Sequence, residues 1–142
     1  MCDRATLPPS TPAPTSWQSC TRSFPGRPEQ LSRVRALLTD FLDGFPNADD
    51  AVLLISELAA NACAHSASGQ PGGTFTVRAH LSGTYLHAEV EDQGGSTWDG
   101  CLSGAKAPHG LFLLRTLAAA CGTLPGAHGW LTWFTLAPGP GT

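Results

Sequence analysis

Charge is scarce in this chain. Its 8 Lys+Arg and 11 Asp+Glu account for 13% of 142 residues, where roughly a quarter is usual for a soluble domain. The formal net charge of −3 gives no general attraction to polyanions. That argues against a nucleic-acid partner and requires any anionic ligand to be held by local geometry. Long apolar runs are missing too: none approaches the ~20 residues of a membrane span. The N-terminus, where Asp3 and Arg4 are followed by Pro and Ser, has no signal-peptide apolar region. Both absences point to a cytoplasmic protein with no membrane partner. The cysteines at 2, 20, 63, 101 and 121 are odd in number, widely spaced and form no C-x-x-C pair, which indicates neither a disulfide framework nor a zinc site. Cys63 and Cys121 read as small core residues. The histidines at 65, 80, 87, 109 and 128 show no ligand spacing.

What is present suffices for one core: 42% of the residues are hydrophobic, in a chain of single-domain length. Residues 1–16 are rich in Pro, Ser and Thr without periodicity and read as a disordered leader. Residues 17–137 form one domain, and 138–142 a frayed tail. Trp17 to Phe24 suits an edge strand. Pro25, Gly26 and Pro28 then turn the chain into a first helix, with Pro28 near its first position. Its apolar residues Leu31, Val34, Leu38, Phe41 and Phe45 recur at three- and four-residue intervals, and Gly44 and Pro46 end it. Asn47 is placed to cap a second helix running to about His65, with Asp49 and Asp50 in its first turn.

After a loop from Ser66 to Gly73, the runs Thr74–Leu81 and Tyr85–Asp92 alternate polar and apolar, as an antiparallel hairpin turned at Ser82-Gly83 does. From Gly110 the nearly all-apolar run LFLLRTLAAAC reads as a third helix ending at Gly122 and buried against a sheet. Trp130 to Leu136 suits a strand. With a short strand near Thr123 the order is β-α-α-β-β-α-β-β.

Glu57, Asn61 and His65 lie four residues apart and form one polar stripe on the second helix. Ala51, Ile55, Leu58 and Ala62 make one flank apolar, while Leu53, Leu54, Ala60 and Ala64 do the same opposite. Such a stripe faces a cleft rather than open water. A carboxylate there serves as a general base, and an Asn carbonyl offers a ligand to a hard cation. His65 closes the helix C-terminus. In the second hairpin strand Leu86, Ala88 and Val90 share one face and Tyr85, His87, Glu89 and Glu91 the other. Counting in twos puts Asp92 with the apolar set, pointing inward. It can accept a hydrogen bond from a ligand amine while Gly94-Gly95 let the ligand approach the backbone; a plain strand-ending turn is the alternative. Pro108-His109-Gly110-Leu111 opens the third helix with unpaired N–H groups, an ordinary place for phosphate.

Taken together, SELAANACAH, VEDQGGS and HGLFLLRTLAAACG, in that order and spacing, resemble the N, G1 and G2 boxes of the GHKL (Bergerat-fold) ATPases. The likeness is greatest to the anti-sigma-factor serine/threonine kinases and covers about residues 22–136. It implies an α/β two-layer sandwich (α+β), with a mixed, mostly antiparallel sheet covered on one face by about three helices, and ATP and Mg²⁺ between the second and third of them. By position it makes Glu57 the general base, Asn61 the Mg²⁺ ligand, Asp92 the carboxylate meeting the adenine amino group and Gly94 the close-approach glycine. Gly110, flanked by His109 and Leu111, matches a phosphate-loop glycine. The implied partners are a sigma factor and an anti-anti-sigma protein of STAS fold, whose serine is phosphorylated; homodimers are common in the family.

Two features depart from the family's pattern. Pro108 stands where a second glycine is usual and has no N–H to donate. The segment from Gly94 to Gly110 carries Lys106 as its only basic residue, leaving protonated His109 as further positive charge. These departures keep open a relative that binds nucleotide or a partner and sequesters a protein without phosphotransfer.

Overall fold

The computed structural model describes residues 17–95 and 111–137. Among them are strands β1 (Gln18–Pro25), β2 (Thr74–Ser82), β3 (Tyr85–Glu91), β4 (Ala120–Pro125) and β5 (Trp130–Leu136). The helices are α1 (Leu31–Phe41), α2 (Ala48–His65) and α3 (Leu111–Leu117), with one-turn 3₁₀ helices at Pro28–Gln30 and Ala67–Gly69. The strands form a single sheet in the order β1-β2-β3-β5-β4, and every pairing is antiparallel. This is the expected α+β architecture, with β1 at the expected edge.

The period of two dictates the sheet. Phe75, Val77, Ala79 and Leu81 of β2 are buried and alternate with half-buried neighbours. They meet Leu86, Ala88 and Val90 of β3 and Phe134 and Leu136 of β5 in one apolar layer. The period of 3.6 dictates the helices: Val34 and Leu38 of α1, and Ala51, Leu54, Ile55, Leu58, Ala59 and Ala62 of α2, close that layer from above. Each fully buried Leu or Phe contributes ~2 kcal/mol of transfer free energy.

The middle of the opposite face, at β3 and β5, is also closed, which the alternation of β3 did not predict. His87 and Glu89 are 2% and 1% exposed. Arg78 bridges Glu89 at 3.2 Å and Glu91 at 3.0 Å, and His87 Nε2 lies 3.1 Å from Glu89 Oε2. The Trp133 ring stacks on His87 with centroids 5.9 Å apart. The Arg78 guanidinium pairs with the carboxylate and the indole lies over His87, so the centre of this face is a packed polar layer rather than a solvated one.

The structure corrects several local expectations. The third helix does not reach Gly122: it stops at Leu117, and Ala120-Cys121-Gly122 belong to β4. Helix propensity of the alanines gives way to pairing with β5, which the bond from Ala119 N to Thr135 O at 2.8 Å begins. Trp133 also claims Gly122, since a Cβ there would lie 2.9 Å from the indole Nε1. Helix α1 ends at Phe41, and Phe45 is buried from the connecting loop instead. Asn47 occupies the N-cap position of α2, yet its side chain makes no capping hydrogen bond. The hairpin turns at Gly83-Thr84, because Ser82 still pairs with Tyr85. Among the described residues no helix is long and apolar enough to cross a membrane.

Leu38 of α1 is fully buried in the apolar core. Leu38→Ala is expected to lower the unfolding free energy by about 2–5 kcal/mol in urea denaturation. A loss under about 1 kcal/mol would mean that α1 does not seal the core.

Candidate functional site

Helix α2 presses its apolar face on the sheet and leaves Glu57 and Asn61 half-buried on its flank. The amide Nδ2 of Asn61 is buried without a hydrogen-bond partner. An orphaned buried amide costs about 1–3 kcal/mol unless something satisfies it. A ligand seated here would do so. His65 is exposed in the last turn of α2. Burial pushes the thiol of Cys63 above its ordinary pKa, and the nearby Glu29 carboxylate acts in the same direction. The thiol therefore stays protonated at neutral pH and serves packing rather than nucleophilic chemistry.

Asp92 follows the last residue of β3, and its N–H donates to Trp130 O at 2.9 Å, so the strand's period carries one residue further. That period sets Asp92 on the side of Leu86, Ala88 and Val90, the side that α2 covers. Its Oδ1 accepts from Gly94 N at 2.7 Å and from Trp130 N at 3.1 Å. Both protein bonds end on one oxygen, which leaves Oδ2 to a ligand donor. The turn that reaches Gly94 requires positive φ, +67° there and +76° at Gly95, a region glycine enters without strain.

Two neighbouring turns hold this loop. On one side Ser68 Oγ accepts from Gln93 N at 3.0 Å, and Ala67 N donates to Gly94 O. On the other the β4–β5 turn backs directly against it: a Cβ on Gly129 would lie 2.1 Å from Gly94 N and 2.6 Å from Asp92 O. That turn is itself anchored, since Glu91 Oε2 accepts from Ala127 N at 2.8 Å. Sequence reasoning missed Ser68, Gly129 and Trp130. Each acts through a contact made by chain folding, and no local motif marks them.

The sequence-predicted residues therefore divide into two groups. Glu57, Asn61, Asp92 and Gly94 all belong to elements on the helix-covered side of the sheet. Of the predicted phosphate loop, His109 and Gly110 lie outside the described residues, as do Lys106 and Pro108, and Leu111 is the first residue of α3.

Comparison with known proteins adds to this geometry. Residues 24–134 match the family model of the histidine kinase-like ATPase domain. Among solved structures the chain is similar to the RsbU and RsbW domains of Rv1364c from Mycobacterium tuberculosis. The match has a TM-score of 0.66 and 23% sequence identity, and it covers 84% of this chain and 32% of that one. At that identity the likeness is one of fold, and the chain spans about a third of the length of that protein. No curated protein matches the sequence.

Gly129 and Gly72 provide a controlled pair. Gly72 has φ +80° and nothing near its Cβ position, whereas Gly129 has backbone atoms there. Gly72→Ala should cost about 1 kcal/mol of backbone strain. Gly129→Ala should cost more, at the upper end of overpacking, about 3 kcal/mol. Equal midpoints in urea would show that the Gly129 contact is not tight.

Proposed function

The chain belongs to the histidine kinase-like ATPase domain family, and from that premise we propose that it is an ATP- and Mg²⁺-dependent serine/threonine protein kinase of the anti-sigma-factor type. The observation that carries this reading is the carboxylate of Asp92, tied through Oδ1 to two backbone amides with Oδ2 unclaimed, on the side of the sheet where Asn61 has an orphaned amide. A nucleotide fits that set, with an amine on the free Oδ2 and an oxygen acceptor on the Asn61 N–H. The N, G1 and G2 box likeness, and the fold shared with the RsbU and RsbW domains, support it further.

In this reading Asp92 Oδ2 accepts from the exocyclic amine of adenine, and its orientation is fixed before the ligand arrives because Oδ1 is already held. Gly94, which has no side chain, lets the base approach. The Asn61 carbonyl would hold Mg²⁺, which when bound would offset the charge of the phosphates. By the G2-box likeness, His109, Gly110 and Leu111 would supply backbone N–H groups to those phosphates. Glu57 takes the proton from a serine hydroxyl of the protein substrate as the serine oxygen bonds to the γ-phosphorus and the bond to the ADP oxygen breaks. Catalysis is then positioning and electrostatics. The substrate is an anti-anti-sigma protein of STAS fold and the sequestered partner a sigma factor, so that phosphorylation switches partners and regulates transcription. We place the protein in the cytoplasm, acting as a homodimer, with residues 17–137 as its single catalytic domain.

A second reading rests on Pro108. Without an N–H at that position one phosphate contact is lost, and the chain would bind nucleotide or partner and sequester it without transfer.

Titration calorimetry with Mg-ATP tests the nucleotide site. The wild type should give saturable heat, and Asp92→Asn, which keeps the shape but turns an amide N–H on the adenine amine, should bind roughly 10- to 100-fold more weakly. No heat at millimolar ATP would reject nucleotide binding. Intact mass of a STAS protein encoded beside this chain, after incubation with ATP, separates the two readings. The wild type should add one phosphate, and Glu57→Ala should transfer about 10²–10⁴-fold more slowly. No transfer by the wild type favours the sequestering regulator.

A further inference from the structure

The loop that carries Asp92 has two consecutive glycines at positive φ, so by itself it would sample many conformations. Besides the bonds of Asp92 to Gly94 and Trp130 and the backing of Gly129, the turn after α2 restrains it. Ser66 Oγ donates to Ala62 O at 2.7 Å and accepts from Ser68 N at 3.0 Å. These bonds tie the turn to the residue beside Asn61. Ser68 is fully buried, and its hydroxyl accepts from Gln93 N, directly after Asp92. Ala67 N adds a bond to Gly94 O. Glycine backbone packs closely on the Ser68 backbone: Cβ atoms on Gly26 and Gly73 would fall 1.7 and 2.2 Å from its carbonyl oxygen, and one on Gly69 would fall 1.9 Å from Cys63 O. The turn thus holds the loop at two points, the Ser68 hydroxyl on Gln93 N and the Ala67 N–H on Gly94 O, of which Ser68 supplies the only side-chain bond from the turn among the described residues.

We propose that Ser68 is a positioning residue for purine recognition: its buried hydroxyl, by accepting from Gln93 N, fixes the Asp92 loop relative to the end of α2 that carries Asn61. The proposal rests on the reading of this site as a nucleotide site. A purine with an amine at its six-position is selected over one with a carbonyl there only while Oδ2 of Asp92 stays in register with the base. Slack in the loop weakens ATP and lets GTP compete. Alanine at 68 removes the acceptor and leaves the Gln93 N–H buried and unpaired. Threonine keeps the acceptor.

The test measures ATP and GTP affinities by calorimetry for the wild type, Ser68→Ala and Ser68→Thr, with thermal unfolding alongside. Ser68→Ala should bind ATP roughly tenfold more weakly and lose a similar factor of preference for ATP over GTP, about the worth of one hydrogen bond. Ser68→Thr should restore that preference. A lower unfolding temperature with an unchanged ATP-to-GTP ratio would overturn the proposal and leave the nucleotide reading intact. A wild type that binds neither nucleotide would overturn both.

Amide exchange on the wild type decides the matter if the alanine variant does not fold. By linkage, nucleotide that depends on the clamp must in turn stabilise it. Saturating ATP should therefore slow exchange at Gln93 and Ala67 about tenfold more than in β1. Equal slowing in both places would count against the clamp.

Discussion

One carboxylate oxygen holds the site in register. Asp92 Oδ1 gathers two backbone N–H groups, one from its own loop at Gly94 and one from the first residue of β5 at Trp130. Charge-assisted bonds of this kind are stronger than neutral ones, and sharing one oxygen between two segments makes the side chain a joint between them. The remaining parts of the site are built around that joint. Gly129 lies flat against the loop from below, and Ser68 secures it at the side. Asn61 projects from a helix whose last turn is stitched to the same loop by Ser66 and Ala67.

The two faces of the sheet solve different problems. Beneath the helices, the apolar side chains of β2, β3 and β5 supply the driving force for folding. On the other face Arg78 spans two carboxylates, and Trp133 lies over His87. Ion pairs as buried as this rarely add much net stability, because desolvation consumes the Coulomb gain. Their effect is geometric: Arg78 and the Ala127 amide together orient Glu91, which anchors the turn supporting the Asp92 loop. A polar cluster on one face of the sheet thereby helps to set a loop on the other.

Most of the architecture was legible because it rests on two periods. Alternation gave β2 and β3, and the same count in twos carried to Asp92. Three- and four-residue spacing gave α1 and α2, and aromatic and Thr content gave β5. Reading failed where tertiary contacts override local preference. The alanines at 118–120 look helical, yet the chain leaves the helix at Leu117 because β5 needs a partner and Trp133 needs a glycine beneath it. Alternation placed His87 and Glu89 on the face opposite the apolar set, but no local pattern announces that this part of the face is buried, with an indole from β5 over His87 and a guanidinium from β2 on Glu89. Ser68 and Gly129 were invisible for a related reason. Each matters through a neighbour roughly 25 to 35 residues away in sequence, and serine or glycine in a loop looks the same with or without such a neighbour.

The hairpin tip between β4 and β5 has a practical side for protein engineering. Ala127 and His128 are exposed there, and short exposed loops are the usual choice for splicing in an epitope tag, a fluorescent reporter or a circular-permutation break. With Gly129 seated back to back on the Asp92 loop, an insert at that tip would be felt in that loop. The Gly83-Thr84 turn, whose glycine has nothing near its Cβ position, is the better point of attachment.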